Sequence, residues 1–195
     1  MTQLNPDIHH RRSIRLKNYD YSRAGAYFVT VCVQNRECLF GDIDNGEMRL
    51  NEFGRVVENE WLKTKDIRGN VKLDYYIIMP NHFHGILVIN DCRGVLQYAP
   101  TASRKFRSPS QTIGAIVRGF KSAITKHINE TRNNPGCPVW QRNYYEHIIR
   151  NEKSMNKIRE YITKNPLNWT TDIEHPCNKG NRTAEEYYKH IVERL

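Results

Sequence analysis

The chain has 195 residues, enough for one well-buried core and too few for two full domains to be expected. It is basic, with a net charge of +9 at pH 7. No apolar run approaches the roughly 18 to 20 residues that cross a bilayer, and residues 1–16 lack the apolar core of a signal peptide. The five cysteines include no CxxC pair, so neither a disulfide framework nor a zinc knuckle is indicated. We therefore expect a cytoplasmic protein without a membrane partner.

The first half of the chain predicts a strand, a helix and a hairpin. Tyr27 to Gln34 is rich in β-branched and aromatic residues, which is typical of a strand. After Asn51 the apolar residues recur at helical spacing, which predicts a helix with one buried face. Val71 to Met79 and His82 to Ile89 predict two strands joined by a tight Pro-Asn turn.

The second half predicts two helices around a strand and a further short helix near the C-terminus. Residues 90–110 contain Gly, Pro and Ser without a sustained period, which predicts a mobile basic loop. An amphipathic helix with a basic exposed side follows over 113–128. Residues 139–150 predict a fourth strand, although the Tyr-Tyr-Glu-His centre also fits a helix. Asn151 is expected to cap a helix that Pro166 ends, and a capping-box pattern predicts a short helix near the C-terminus.

The order of these elements predicts the fold class. Strand, helix, strand, strand, helix, strand, helix fits an α+β sandwich of ferredoxin-like type. We expect a four-stranded antiparallel sheet with helices on one face and a C-terminal helical tail. The chain then divides into a basic N-terminal arm (1–20), a main domain (21–169) and a tail (170–195).

The stretch MPNHFHGILVI places His82 and His84 one residue apart on a predicted strand. Their side chains would lie on the same face, about 7 Å apart along the backbone. Such a pair can simply fill a core, or it can bind a divalent metal ion on a rigid support. The third helix presents Tyr161 and Asn165 on one face, beside its apolar stripe. A tyrosine hydroxyl there either meets what the histidines bind or lies at the rim of the core.

A long basic stretch separates these two elements. Residues 93–132 hold eight Lys and Arg residues against one acid, a local charge of +7. This favours a phosphate-rich partner, although a solvated basic surface has the same composition. The residues expected to neutralise phosphates are Arg11, Arg12, Arg15, Lys17, Arg104, Lys105, Arg107, Arg118 and Lys121.

Two stretches of the chain, MPNHFHGILVI and VWQRNYYEHIIRNEKSMNKIREYITKNP, resemble the HUH single-tyrosine transposases. The resemblance is strongest to the REP-associated tyrosine transposases of bacteria, and it runs from about Arg11 to Trp169. It rests on a two-histidine motif, a basic helix and a tyrosine helix that occur in the same order and spacing. It implies that residues 21–169 form a catalytic domain.

The resemblance also implies the roles of four residues. His82, His84 and Asn165 would hold Mg²⁺ or Mn²⁺, with Asn165 at a position where many relatives carry Gln. Tyr161 would be the nucleophile. The implied substrate is single-stranded DNA beside a hairpin, cleaved and rejoined through a 5′-phosphotyrosine intermediate. A monomer is expected, with a dimer as the alternative.

Four other functions fit part of the pattern. A histidine-triad nucleotide hydrolase needs a third histidine where this chain has Ile86. A metallo-hydrolase needs carboxylates close to the pair, and Asp74 and Asp91 are poorly spaced for that. A non-catalytic RNA-binding module of ferredoxin-like fold explains the charge but leaves the histidines unused. A domesticated relative of the transposases would bind DNA hairpins without cleaving them.

Overall fold

The computed structural model describes residues 24–90, 112–178, 186–188 and 191. Its main sheet has four antiparallel strands, namely β1 (Gly25–Cys32), β4 (Val71–Ile78), β5 (His82–Ile89) and β6 (Tyr145–Ile149). The strands lie in the order β4, β5, β1, β6. With helices between β1 and β4 and between β5 and β6, this is the ferredoxin-like α+β sandwich that the sequence predicts.

Helices cover both faces of this sheet. The long helices among the described residues are α1 (Glu52–Ile67), α2 (Ile113–Thr131) and α3 (Glu152–Lys164). On β1, Tyr27 and Val29 pack in the core beneath α1 and α2, whereas Phe28 packs in a second core beneath α3. The predicted arrangement of helices on one face holds for α1 and α2, but α3 lies on the opposite face. Successive strand residues point to opposite faces, and here both sets are apolar, so each face can bury a helix.

The larger core depends on a glycine in the central strand. Trp61 of α1 lies 4.5 Å from Phe83 of β5 between ring centroids, and Phe83 lies 5.2 Å from Phe120 of α2. A Cβ atom at Gly85 would come within 2.6 Å of the Trp61 ring and 2.7 Å of the Phe83 ring. Residue 85 must therefore be glycine for both helices to pack against β5.

The smaller core attaches α3 to the other face. Its fully buried aliphatic and aromatic members are Phe28, Ile86, Ile158, Ile162 and Tyr188. Asn151 caps α3 as predicted, since its side chain accepts a hydrogen bond from the backbone N–H of Ser154 (2.8 Å). Arg159 adds a two-point ion pair with Asp74 of β4, at 2.8 and 2.7 Å. These contacts fix the position and rotation of α3.

A short hairpin between β1 and α1 is absent from the sequence prediction. It consists of β2 (Gly41–Asp44) and β3 (Glu47–Leu50). Asn45 and Gly46 form its turn, both with positive φ (52° and 79°). An Asn-Gly pair is the usual signal of such a turn, so this element was detectable from the residues.

The predicted fourth strand is wrong in its first half. β6 begins at Tyr145, and the preceding residues leave the sheet except for an isolated bridge between Val33 and Trp140. The ammonium group of Lys121 donates to the carbonyl groups of residues 141, 142 and 143, at 2.6, 3.4 and 3.4 Å. Carbonyl groups turned toward one lysine cannot alternate along a strand ladder.

Several predictions concern residues outside the described ranges. These are the basic arm (1–20), the loop predicted over 90–110 apart from Asn90, and the C-terminal helix apart from residues 186–188 and 191. The domain boundaries thus stay predictions. Within the described ranges, every helix is too short or too polar to cross a membrane.

Candidate functional site

The two histidines lie side by side on the α3 face of β5. His82 and His84 are fully buried, and their ring centroids are 4.5 Å apart. Thr30 is the cross-strand partner of His84 on β1, and its hydroxyl lies 2.8 Å from His84 Nδ1. The spacing of one residue predicts the shared face, whereas the contact with Thr30 depends on the strand register.

The hydrogen bonds of Asn81 define the tautomer of His82. The Asn81 amide group donates to the backbone carbonyls of Arg36 (3.1 Å) and Glu174 (2.7 Å), so its Oδ1 atom is the one that faces His82 Nδ1 at 2.8 Å. Because an amide oxygen only accepts, Nδ1 of His82 carries the proton. The lone pair then lies on Nε2, which is buried without a hydrogen-bond partner among the described residues.

Tyr161 of α3 reaches the histidine pair. Its hydroxyl lies 3.2 Å from His84 Nε2 and 3.4 Å from Oδ2 of Asp172. Its ring packs edge-on against Phe28 of β1 at 6.2 Å between centroids. The predicted tyrosine and the predicted histidines therefore converge in space within one chain.

Asn165 completes the set at the C-terminal end of α3. The residue before a proline usually avoids helical geometry, but Asn165 has φ −58° and ψ −42° because Pro166 begins a 3₁₀ helix that continues to Thr171. Its Nδ2 group donates to Oδ2 of Asp172 at 3.0 Å. Its Oδ1 atom is buried and has no hydrogen-bond partner in the described part of the chain.

Asp172 is a member of the site that the sequence does not predict. One ligand atom each from His82, His84 and Asp172 lie within 4.8 Å of one another, a grouping that could hold a metal ion. The side chain of Asp172 is buried and its partners are the N–H of Glu174, the amide of Asn165 and the Tyr161 hydroxyl, none of them a cation. It follows the 3₁₀ turn, and no spacing rule links it to the histidines.

Burial sets the protonation of the site. It lowers the pKa of His82 to about 4, although the Asp172 carboxylate and the nearby Asn165 amide favour the charged form. Burial and the neighbouring His82 lower the pKa of His84 well below its ordinary value. Burial and the Asp172 charge raise the pKa of Tyr161 well above its ordinary value. At neutral pH the imidazoles are uncharged and the phenol keeps its proton.

These groups fit a divalent cation. Two neutral imidazole nitrogens, an amide oxygen and a carboxylate oxygen are the donor types that such ions bind in proteins. Two of the donor atoms, Nε2 of His82 and Oδ1 of Asn165, are buried with no other partner among the described residues. A buried polar atom without a partner costs free energy, and a bound ion would remove that cost.

Tyr188 covers the site from the C-terminal part of the chain. It is buried, its ring lies 5.6 Å from that of His84 and 6.4 Å from that of Tyr161, and its hydroxyl donates to Glu174 at 3.5 Å. The Tyr188 ring therefore packs against both the histidine and the tyrosine of the site.

The residues predicted to bind phosphates do not line the described part of the site. Arg118 is exposed on α2, which lies on the opposite face of the sheet. Lys121 is on the same helix, and its ammonium group binds backbone carbonyls. The other predicted residues lie outside the described ranges, namely Arg11, Arg12, Arg15, Lys17, Arg104, Lys105 and Arg107. Their role stays a prediction.

Comparison with known proteins places the chain among relatives. No family model matches it. An uncharacterized protein of Haemophilus influenzae is 47% identical over 176 residues, covering 88% of this chain and 96% of that protein, so the two belong to one family. A second Haemophilus influenzae protein, provisionally named a REP-associated tyrosine transposase, is 24% identical over 156 residues, which are 78% of this chain and 77% of that protein.

Among solved structures, a REP-associated tyrosine transposase bound to a REP hairpin matches 80% of this chain and 74% of its own, with a TM-score of 0.50 and 20% identity. This chain has the fold of a REP-associated tyrosine transposase. The predicted resemblance to REP-associated tyrosine transposases is thus confirmed for the fold. The roles of individual residues stay predictions.

Proposed function

We propose that this protein cleaves and rejoins single-stranded DNA beside hairpins, with Tyr161 as the nucleophile. The observation that carries the proposal is the position of the Tyr161 hydroxyl, 3.2 Å from His84 Nε2 inside a cluster of buried metal-type ligands. The shared fold with a protein solved on a REP hairpin supports a DNA substrate. The net charge of +9 supports a polyanionic partner.

We assign His82, His84 and Asn165 as the residues that hold Mg²⁺ or Mn²⁺. Nε2 of His82 and Oδ1 of Asn165 are buried acceptors without another partner among the described residues, which supports this assignment. When bound, such an ion would polarise a non-bridging phosphate oxygen and stabilise the departing 3′ oxygen. Asn81 fixes the lone pair of His82 on Nε2, and Thr30 holds the plane of the His84 ring.

In the proposed reaction the Tyr161 oxygen forms a bond to phosphorus as the bond between phosphorus and the 3′ oxygen breaks. The hydroxyl proton is lost, and the 3′ oxygen takes up a proton. Asp172 Oδ2, 3.4 Å from that hydroxyl, is the nearby acceptor that the proposed ligand set leaves free to take the proton. The products are a 5′-phosphotyrosine and a free 3′-OH. The 3′-OH of another strand can reverse the step and rejoin DNA without ATP, because one phosphoester replaces another.

We further propose that a monomer carries a complete site. Tyr161 belongs to α3, which begins directly after β6, and its hydroxyl contacts the His84 ring of the same chain. The short connection leaves no length for the helix to reach a partner's sheet without separating from its own. The ion pair of Arg159 with Asp74 further ties α3 to its own β4.

Replacement of Tyr161 by Phe tests the proposal. A labelled single strand with a hairpin is incubated with the full chain and Mn²⁺, and covalent adducts are separated on a denaturing gel. We expect Tyr161→Phe to form no adduct and to bind the hairpin nearly as well as the wild type, since only one hydroxyl is lost. Tyr145→Phe is the matched control, because Tyr145 packs against the Phe28 and Tyr188 rings as Tyr161 does but belongs to β6, and we expect it to keep the adduct.

Three outcomes would contradict the proposal. An adduct in the Tyr161→Phe protein, or an adduct mapped to Tyr144 or Tyr145, would show that the nucleophile is wrong. Full cleavage in EDTA would contradict the metal assignment. Tight hairpin binding by the wild type with no adduct would instead favour the domesticated, non-catalytic alternative. Binding to nucleic acid should weaken with salt, by a log–log slope of about −0.7 per phosphate contact.

A further inference from the structure

The buried carboxylate of Asp172 has hydrogen-bond donors on both oxygens. Oδ1 accepts the backbone N–H of Glu174 at 2.7 Å, and Oδ2 accepts the Asn165 amide at 3.0 Å and the Tyr161 hydroxyl at 3.4 Å. Three donors converge on one group that only accepts when ionised. Asp172 therefore acts as a fixed acceptor between the nucleophile and a metal ligand of the proposed site.

This acceptor determines which way the Asn165 amide points. The oxygen and the NH₂ group of an amide are nearly identical in shape, so packing alone does not choose between the two orientations. A carboxylate beside the amide chooses, because only the NH₂ group can donate to it. With Nδ2 on Asp172, Oδ1 must point away, and it is the buried oxygen that has no partner among the described residues.

We infer that Asp172 is a positioning residue that turns the carbonyl oxygen of Asn165, and not its NH₂ group, toward the metal position. This inference rests on the proposed metal site of His82, His84 and Asn165. Without the carboxylate, the Asn165 amide could turn its NH₂ group toward the metal position, and the partial positive charge of that group repels a cation. Asp172 thus acts through Asn165, and its charge supplements that effect.

The inference predicts the metal affinity of four variants, measured by calorimetric titration of metal-free full-length protein with Mn²⁺. Asp172→Asn should lower the affinity about 10-fold to 100-fold, the usual effect of removing a residue that orients a ligand. In this variant the N–H of Glu174 holds the new amide oxygen, and the new NH₂ group turns the Asn165 amide around. Asn165→Ala should lose at least as much, because it removes the ligand itself.

An exchange of the two side chains provides the rescue. In the double variant Asn165→Asp with Asp172→Asn, the amide at 172 donates to one carboxylate oxygen at 165 and the other oxygen faces the metal. The net charge is that of the wild type, so we expect Mn²⁺ affinity within a few-fold of it. Glu174→Gln is the matched control, since it removes a buried carboxylate from the same segment and keeps the bond between Asp172 and Asn165.

The outcomes separate this inference from the proposed function. An Asp172→Asn protein that binds Mn²⁺ as tightly as the wild type would overturn the inference. A loss of affinity in Glu174→Gln equal to that in Asp172→Asn would also overturn it, by showing that only the charge matters. A much larger loss in Asp172→Asn than in Asn165→Ala would overturn it in favour of direct ligation by Asp172. Weak Mn²⁺ binding by the double variant Asn165→Asp with Asp172→Asn would also overturn it. The double variant decides the question if Asp172→Asn alone does not fold. A wild-type protein that does not bind Mn²⁺ would contradict the metal site itself.

Discussion

Replacing Thr30 by Val removes one hydroxyl beside His84 and preserves the shape of the side chain. Thr30 is 1% exposed, and its Oγ1 atom lies 2.8 Å from His84 Nδ1. The change leaves a buried ring nitrogen unpaired, which costs about 1–3 kcal/mol. The added methyl group recovers up to about 0.8 kcal/mol. With that recovery, we expect the free energy of unfolding of the metal-free protein to fall by about 0.2–2 kcal/mol.

The same substitution should weaken the metal site. The hydrogen bond to Nδ1 holds the plane of the His84 ring and so positions Nε2, the atom beside Tyr161. Loss of that bond should lower Mn²⁺ affinity about tenfold, and DNA cleavage at limiting Mn²⁺ should fall with it. Urea unfolding of the metal-free protein and calorimetric titration with Mn²⁺ measure the two effects separately.

Thr64→Val is a matched control for this prediction. Thr64 is also buried, but it lies in α1 on the other face of the sheet, and its hydroxyl donates to the Glu60 carbonyl of the same helix at 3.3 Å. We expect the free energy of unfolding of Thr64→Val to differ from that of the wild type by less than about 1 kcal/mol, because the Glu60 carbonyl stays within the backbone hydrogen bonding of α1. The Mn²⁺ affinity of this variant should stay unchanged. Unchanged Mn²⁺ affinity in Thr30→Val, or an equal loss in both variants, would refute the role given to the hydroxyl.

Two further predictions concern the assembly and the acid stability of the site. A mixture of His82→Ala and Tyr161→Phe proteins, each inactive alone, should stay inactive in the gel assay, and recovered cleavage would show that the tyrosine acts on a partner's histidines. Arg159 holds the pKa of Asp74 below its ordinary value of 3.8, so the pair stabilises the folded protein above that value and loses its effect as pH falls through the lower folded-state pKa. Asp74→Asn should therefore lower the free energy of unfolding, measured with urea, by about 1 kcal/mol at pH 7 and make no difference at about pH 2. A loss that does not depend on pH would contradict this.

The elements with a strong period were predictable from the residues. The apolar stripes of α1, α2 and α3 each bury one helix face, and the apolar run after the Pro-Asn turn is the central strand β5. The short hairpin around Asn45 was missed because its strands have four residues and are half-exposed, so they show little alternation. The over-long fourth strand had the right composition, but Lys121 withdraws three of its carbonyls from the sheet.

The site was predictable where spacing within one element determines geometry. His82 and His84 share a face because strand residues alternate, and Tyr161 and Asn165 share one because four residues make about one helical turn. That these two pairs meet was available only from the resemblance to a known family. Asp172 depends on the path of the chain after the 3₁₀ helix, and the contact of Thr30 depends on strand register, so local pattern does not predict either.

The place of β5 within the sheet has a consequence for local stability. This strand is hydrogen-bonded to β1 on one side and to β4 on the other, so its amide protons exchange with solvent only when the sheet itself comes apart. Among the described residues, the helix with Tyr161 packs through one face and has exposed residues on the other, so it can open at lower cost. Amide hydrogen exchange should therefore be slower for the β5 residues of the site than for the α3 residues. The histidine pair persists in partly open states in which the tyrosine has already separated.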